Sequence, residues 1–180
     1  DGDYEIYYWD GTFPVSPQKI TDNTLVDGKS GVSLYNGTIA WTHGETYNLL
    51  LNSDIYYWDG STTHKISTQP YRDFHPSLFN GQIAWLAYET EFSDSASIYF
   101  WDGAFPVTPQ KISPDNTPYN AVQPSLYAGT IAWDDGSMTF SDIYLWDGIR
   151  YTCANSRELP FPLQWHSSMG NGLECLLWFY

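Results

Sequence analysis

The chain has 180 residues, 42% hydrophobic and only 16% charged, a balance that suits one folded domain and excludes a disordered one. Seven Lys and Arg against 21 Asp and Glu give a net charge of −14, so the surface repels phosphate, and neither nucleic acid nor an anionic membrane surface is an expected partner. No apolar run approaches the ~18–20 residues of a spanning helix, so no membrane insertion is expected.

The first recognisable phrase is Ile6-Tyr-Tyr-Trp-Asp-Gly11, followed by Gln18-Lys-Ile-Thr21. Short runs of aromatic and β-branched residues bounded by Asp, Gly and Pro predict two strands joined by a turn. Next comes Ser33-Leu-Tyr-Asn-Gly-Thr-Ile-Ala-Trp41. Its Asn-Gly pair suits a type I′ hairpin, because both central residues need positive φ. The first phrase then returns at Ile55–Gly60 and is followed by His64-Lys-Ile-Ser67. The second phrase recurs at Ser77–Trp85, and Ile98–Gly103 repeats the first with Gln110-Lys-Ile-Ser113 behind it. Ser125–Trp133 and Ile143–Gly148 complete the series. A period of about 43–49 residues lies in the range of propeller blades.

Each unit therefore reads as strand A (Ser-Leu-Tyr/Phe), a tight turn, strand B (Ile-Ala-Trp), a loop, strand C (Ile-Tyr-x-Trp), an Asp-Gly turn read as a second tight hairpin, and strand D (Lys-Ile-Ser/Thr). Strand C is apolar at successive positions, which fits sheets buried on both faces, as stacked blades are. Beyond Gly148 the repeat fades. Arg150–Ala154 falls where the last strand D is due, and Leu163–Ser167 where a last strand A is due. Asn171–Trp178 resembles the A–B turn phrase, with Trp178 in phase with Trp41, Trp85 and Trp133. The expected fold is all-β: a four-bladed β-propeller of four-stranded antiparallel blades, closed by pairing of the N- and C-terminal strands. As a single domain over 1–180 it would comprise blade 1 (1–24 plus 161–180), blade 2 (30–68), blade 3 (74–114) and blade 4 (122–156).

The run Asp-Ile-Tyr-Tyr-Trp-Asp-Gly, Lys-Ile-Ser/Thr, Pro-Ser-Leu and Ile-Ala-Trp resembles the TolB-type, WD40-like (PD40) propeller repeat. The resemblance covers three units well and the fourth up to Gly148. Leu34, Leu78 and Leu126 stand where that family often has Trp. Four blades are similar in architecture to hemopexin-like propellers. The resemblance implies a binding platform, or an accessory domain of a hydrolase.

Catalytic signatures are absent: no Gly-x-Ser-x-Gly, His-Glu-x-x-His, phosphate loop or Cys-x-x-Cys occurs. Strand A carries no acid, which counts against a propeller glycosidase. Asp10, Asp59, Asp102 and Asp147 each precede Gly and read as turn residues. The B–C loops vary on this constant frame, and variable loops are where a scaffold places recognition. Candidate ligand-binding residues are accordingly Glu45, Tyr47, Glu89, Glu91, Asp134 and Asp135, with His75 at the start of strand A. His75 reads first as an inter-blade hydrogen-bonding residue. No cofactor is expected, apart from a Ca²⁺ or Na⁺ ion that the backbone carbonyls of Ser33, Ser77 and Ser125 could hold in a central channel. Cys153 and Cys175 leave a disulfide and free thiols both open.

The leading functional reading is a non-catalytic binding module for a carbohydrate, peptide or protein ligand at the loop face or channel mouth. It would be secreted, periplasmic or on the cell surface, a monomer if the ring closes, with a fragment or a dimer as the alternatives. The alternatives are a glycosidase-like hydrolase using the acidic B–C loop residues, and a scaffold piece of a larger or oligomeric propeller.

Overall fold

The computed structural model of the protein describes residues 4–21, 28–44, 52–68, 70, 72–90, 95–114, 121–134 and 142–154. All regular structure among them is β. The first blade shows two paired strands, β1 (Tyr7–Tyr8) and β2 (Gln18–Lys19). Blade 2 is a four-stranded sheet of β3 (Gly28–Tyr35), β4 (Thr38–Gly44), β5 (Ser53–Trp58) and β6 (Thr63–Lys65). Blade 3 repeats it with β7 (Asp73–Phe79), β8 (Gln82–Tyr88), β9 (Ala96–Trp101) and β10 (Gln110–Lys111). Blade 4 consists of β11 (Ser125–Tyr127), β12 (Thr130–Asp134), β13 (Ile143–Trp146) and β14 (Tyr151–Ala154). Strands pair in chain order and antiparallel, the meander expected of propeller blades. Residues 161–180, expected to complete blade 1 and close the ring, lie outside the described residues. Among the described residues no helix is long and apolar enough to cross a membrane.

The A–B turns follow their sequence. Asn36-Gly37, Asn80-Gly81 and Ala128-Gly129 all have positive φ at both positions, as a type I′ turn requires. The C–D turns differ from the expected tight hairpin. Trp58 pairs with Thr63 and Trp146 with Tyr151, so each connection holds four residues rather than two. Only the glycine takes positive φ there. The aspartate instead accepts backbone N–H bonds: Asp59 Oδ1 from Ser61 and Thr62, both at 2.8 Å, and Asp147 Oδ1 from Ile149 and Arg150, both at 3.0 Å. Asp10 and Asp102 do the same towards Thr12 and Ala104 in longer turns. The backbone bonds hold Asp147 below the usual carboxylate range, the Thr12 hydroxyl followed by its N–H does so for Asp10, and a bond from His64 leads the same effect on Asp59. All four aspartates thus serve turn geometry.

The core lies between blades. Strand B tryptophans stack on strand C tyrosines of their own sheet: Trp41 on Tyr56 and Trp85 on Tyr99 at 6.0 Å, and Trp133 on Tyr144 at 5.7 Å. Blade 3 then packs Leu78, Ile83, Trp85 and Trp101 against Ala40, Ile55, Tyr57 and Ile66 of blade 2. Blade 4 packs Leu126, Ile131, Trp133 and Trp146 against Ala84, Ile98, Phe100 and Ile112 of blade 3. The two clusters use equivalent repeat positions. A serine links each pair of neighbours: Ser33 Oγ accepts the Leu78 N–H at 3.0 Å, and Ser77 Oγ accepts the Leu126 N–H at 2.9 Å.

Polar side chains are buried along the same seams. Asp73 is fully buried; its Oδ1 accepts from Trp85 Nε1 at 3.1 Å, and its Oδ2 has no hydrogen-bond partner. Burial pushes its pKa up to about 7 against the opposing bonds from Ser67 and Trp85, and nearby Asp54 adds to the rise. Blade 2 has Lys29 at this position, and its ammonium pairs with Glu5 of blade 1 at 3.4 Å. With no acceptor there, the buried Trp41 indole N–H has no partner.

In blade 4, Cys153 stands opposite Tyr144, where Lys19, Lys65 and Lys111 stand opposite Tyr7, Tyr56 and Tyr99. Cys153 is disulfide-bonded; Cys175, the other cysteine of the sequence, lies outside the described residues.

Candidate functional site

The A strands run on the inner side of the blades, and those of blades 2 and 3 start irregularly. The β3–β4 register shifts between Ser30 and Ser33, and the β7–β8 register between Phe74 and Ser77. An extra residue in one strand bends it and re-aims its side chains. The bulges carry positive φ at equivalent residues, 58° at Gly31 and 53° at His75. Glycine takes this conformation freely, whereas a side chain is strained in it.

Three equivalent tripeptides meet there: Gly31-Val32-Ser33, His75-Pro76-Ser77 and Gln123-Pro124-Ser125. With Asp134 from the end of β12 they line an open cleft of about 430 Å³. The serine is constant, and the first residue of each tripeptide varies. A Cβ on Gly31 would lie 3.3 Å from Thr42 Oγ1 and 3.4 Å from Pro76 Cδ, so a side chain is crowded out at that corner. The equivalent His75 is exposed beside the Phe74 ring, 6.1 Å away.

Among the described residues, His75 makes no inter-blade hydrogen bond of the kind expected of it. Ser77, two residues later, carries that link, because the bulge turns the imidazole out of the seam. Of the other sequence candidates, Asp134 lines the cleft with the three serines. Glu89 stands apart from it: it accepts from Ser97 Oγ at 2.7 Å and pairs with Lys111 across the strand C–D edge. Glu45, Tyr47, Glu91 and Asp135 lie outside the described residues. The hydroxyls of Ser33 and Ser77 accept N–H bonds from the next blade. Among the described residues no three His, Cys, Asp or Glu side chains converge as a metal centre would need.

Gln123 was not among the sequence candidates, nor was the role of Gly31. Their signal was the variable residue two before each Ser-Leu phrase, which becomes visible only when the repeats are aligned by strand register.

No protein-family profile matches this chain, and no curated protein matches it. Solved structures do. The acylaminoacyl peptidase of Pyrococcus horikoshii, in its orthorhombic crystal form, superposes with a TM-score of 0.60 at 17% identity; the match covers 84% of this chain and 22% of that one. The beta-propeller domain of the trilobed protease from Pyrococcus furiosus, which has an open velcro topology, gives a TM-score of 0.59 at 14% identity, covering 87% of this chain and 47% of that one. The uncomplexed P. horikoshii peptidase gives 0.54 at 15% identity over 73% of this chain and 21% of that one. The chain therefore spans less than half the length of each. At these identities the likeness establishes the fold: the chain is a β-propeller assembly of repeated blades.

Proposed function

We propose that the protein is a non-catalytic recognition module whose cleft at the inner strands binds a polar ligand, with a short peptide carrying a positive charge as the favoured class. The observation that carries this reading is His75. A side chain occupies a left-handed bulge position where the neighbouring repeat uses glycine, and strain kept at a concave surface is a pointer to function. Gln123 and Asp134 add a carboxamide and a carboxylate, and the net charge of −14 favours cationic ligands. A secreted, periplasmic or surface location belongs to the same proposal, and the disulfide at Cys153 supports it.

The test is a titration of the labelled protein with Lys-containing and Glu-containing short peptides and a neutral oligosaccharide, followed by NMR. The Lys peptide should bind and shift the His75 and Gln123 signals. His75→Gly keeps the backbone and removes the imidazole, and should weaken binding about tenfold. Equal binding by His75→Gly, or equal affinity for both peptides, would refute the reading.

A second reading rests on the neighbours, which are named as a peptidase and a protease. On that reading the blades serve as an accessory domain beside a hydrolase. Peptide turnover by the chain alone would displace both non-catalytic readings in favour of an enzyme.

A further inference from the structure

Each seam between neighbouring blades uses the same two repeat positions: the residue before the strand C isoleucine of one blade, and the residue four before the strand A serine of the next. At the blade 1–2 seam these are Glu5 and Lys29, an ion pair at 3.4 Å. At the blade 3–4 seam they are Ser97 and Ala121, neither of which carries charge. At the blade 2–3 seam they are Asp54 and Asp73, two carboxylates that are 4% and 0% exposed. Like charges in a buried site oppose each other's ionisation, and the other two seams have no such conflict at these positions.

The hydrogen bonds leave the blade 2–3 pair one hydrogen short. Ser67 Oγ accepts the Ile55 N–H at 3.0 Å and donates its single hydrogen to Asp54 Oδ1 at 3.0 Å. Lys65 pairs with the other oxygen of Asp54 at 2.7 Å. Trp85 Nε1 donates to Asp73 Oδ1, and Asp73 Oδ2 has no hydrogen-bond partner among the described residues. A charge on Asp73 would thus be buried with one oxygen unsatisfied, beside a second carboxylate. A proton removes that charge, and two interacting carboxyls titrate as a pair. Burial is the main cause of the raised Asp73 pKa, and Asp54 adds to it while Lys65 opposes it. Beside Asp73 in sequence stand Arg72, whose guanidinium lies over the Tyr88 ring at 4.2 Å, and the exposed His75.

We propose that the Asp54–Asp73 pair makes the blade 2–3 seam a proton-operated joint, closed while the pair holds a proton and loosened once both carboxylates are charged. Opening relieves the charge by admitting water to Asp73, and a local opening costs less than unfolding the whole chain. Asp73 is clamped across the seam through its backbone: its N–H donates to Ser53 Oγ at 3.2 Å, and its C=O accepts from the same hydroxyl at 3.0 Å. The next residue, Phe74, begins the bulge that places His75 in the cleft, while Gly31, Val32 and Ser33 reach the cleft from the other side of the seam. Movement at the joint shifts one wall of the cleft against the other, so proton and ligand become linked. That consequence rests on the cleft reading above; the joint itself does not.

Amide hydrogen exchange of the full, ligand-free chain, followed by NMR from about pH 5 to about pH 8, tests the joint. Protection factors remove the intrinsic pH dependence of exchange. The Leu78 N–H crosses the blade 2–3 seam to Ser33, and the Leu126 N–H crosses the blade 3–4 seam to Ser77 and serves as the control. Protection of Leu78 should fall on the order of tenfold or more across this range and level off above the Asp73 titration, while Leu126 changes much less. Asp73→Asn should hold Leu78 protection constant. Asp54→Asn removes the second charge and should end the fall at a lower pH. Constant Leu78 protection in the wild type, or equal losses at Leu78 and Leu126, would overturn the joint. Over the same range the wild type should lose affinity for the Lys peptide about threefold or more relative to Asp73→Asn, which retains His75. Responsive seam amides with unchanged relative affinity would break the link to the cleft and leave the joint standing. Responsive seam amides with no peptide binding at all would overturn the cleft reading alone.

Discussion

Blades 3 and 4 contain nearly the same strand C, Ile-Tyr-Phe-Trp and Ile-Tyr-Leu-Trp, in the same four-stranded frame. In blade 3 every one of these residues is buried except the half-buried Tyr99. In blade 4 the same positions alternate between exposed and buried. The local chemistry is constant, and what changes is whether another of the described sheets packs on that face. A sheet between two neighbours buries both faces, while a sheet at the end of a stack has one face left over. Stability should therefore be concentrated in the middle of the stack, and equivalent substitutions should have unequal effects.

The largest expected contrast is between tryptophans. Trp85→Ala opens a cavity in the blade 2–3 core and should cost about 3–5 kcal/mol. Trp9→Ala, at a half-exposed side chain, should cost less than about 1 kcal/mol. Urea unfolding of both variants measures the difference, and equal costs would mean that blade 1 is packed as tightly as the middle.

Asp73 sharpens the comparison through pH. Its pKa of about 7 in the folded chain lies above the value near 4 in the unfolded chain. The folded state therefore holds a proton that the unfolded state releases between these values. The stabilisation from Asp73 is fully present below about pH 4 and is lost as pH rises through 7, a change of a few kcal/mol. Carboxylates held low in the turns act in the opposite sense at acid pH, so the quantity to measure is the difference between wild type and Asp73→Asn. Asparagine keeps an acceptor for Trp85 and cannot ionise, so that difference should vary with pH only in this window. A flat difference curve would show that Asp73 titrates normally.

Serines at one repeat position offer a smaller test. Ser77→Ala removes the acceptor for the Leu126 N–H and should cost about 1 kcal/mol. Ser125→Ala, at the equivalent position where no described N–H is accepted, should stay within about 0.5 kcal/mol of neutral. The smallest effect concerns Ala128, which sits at a φ of 48° where Asn36 and Asn80 sit in the other A–B turns. Ala128→Gly should raise stability by about 0.5–1 kcal/mol, visible as a shift in the denaturant midpoint.

Much of the fold was legible because repetition multiplies weak signals. One Ile-Tyr-Tyr-Trp run reads equally as a strand or as part of a buried helix. Four such runs in phase, each ending in Asp-Gly, leave little choice but blades. The Asn-Gly turns could be read because they state their own geometry. The C–D turns were misread because the Asp-Gly pair is compatible with a two-residue hairpin and with a four-residue turn, and strand register decides between them. The cleft was harder still. His75 and Asp134 stood out as isolated polar residues, but their neighbour Gln123 comes from another blade, and the bulge that frees His75 has no side-chain signature. Glu89 looked like a loop acid because nothing in the sequence says that Ser97 and Lys111 lie across from it.

The amino-acid sequence by itself determined the blade: its strand lengths, its tryptophan–tyrosine stacks and its turn residues, all of which depend on contacts within about one repeat. Tertiary structure decided what happens between blades. The proton on Asp73, the use of Ser77 as a link and the meeting of His75 with Gln123 depend on distances between residues far apart in sequence. So does the burial of Ile55 and Ile98, since a repeated sequence writes the same face onto every blade and only the stack determines which face is covered.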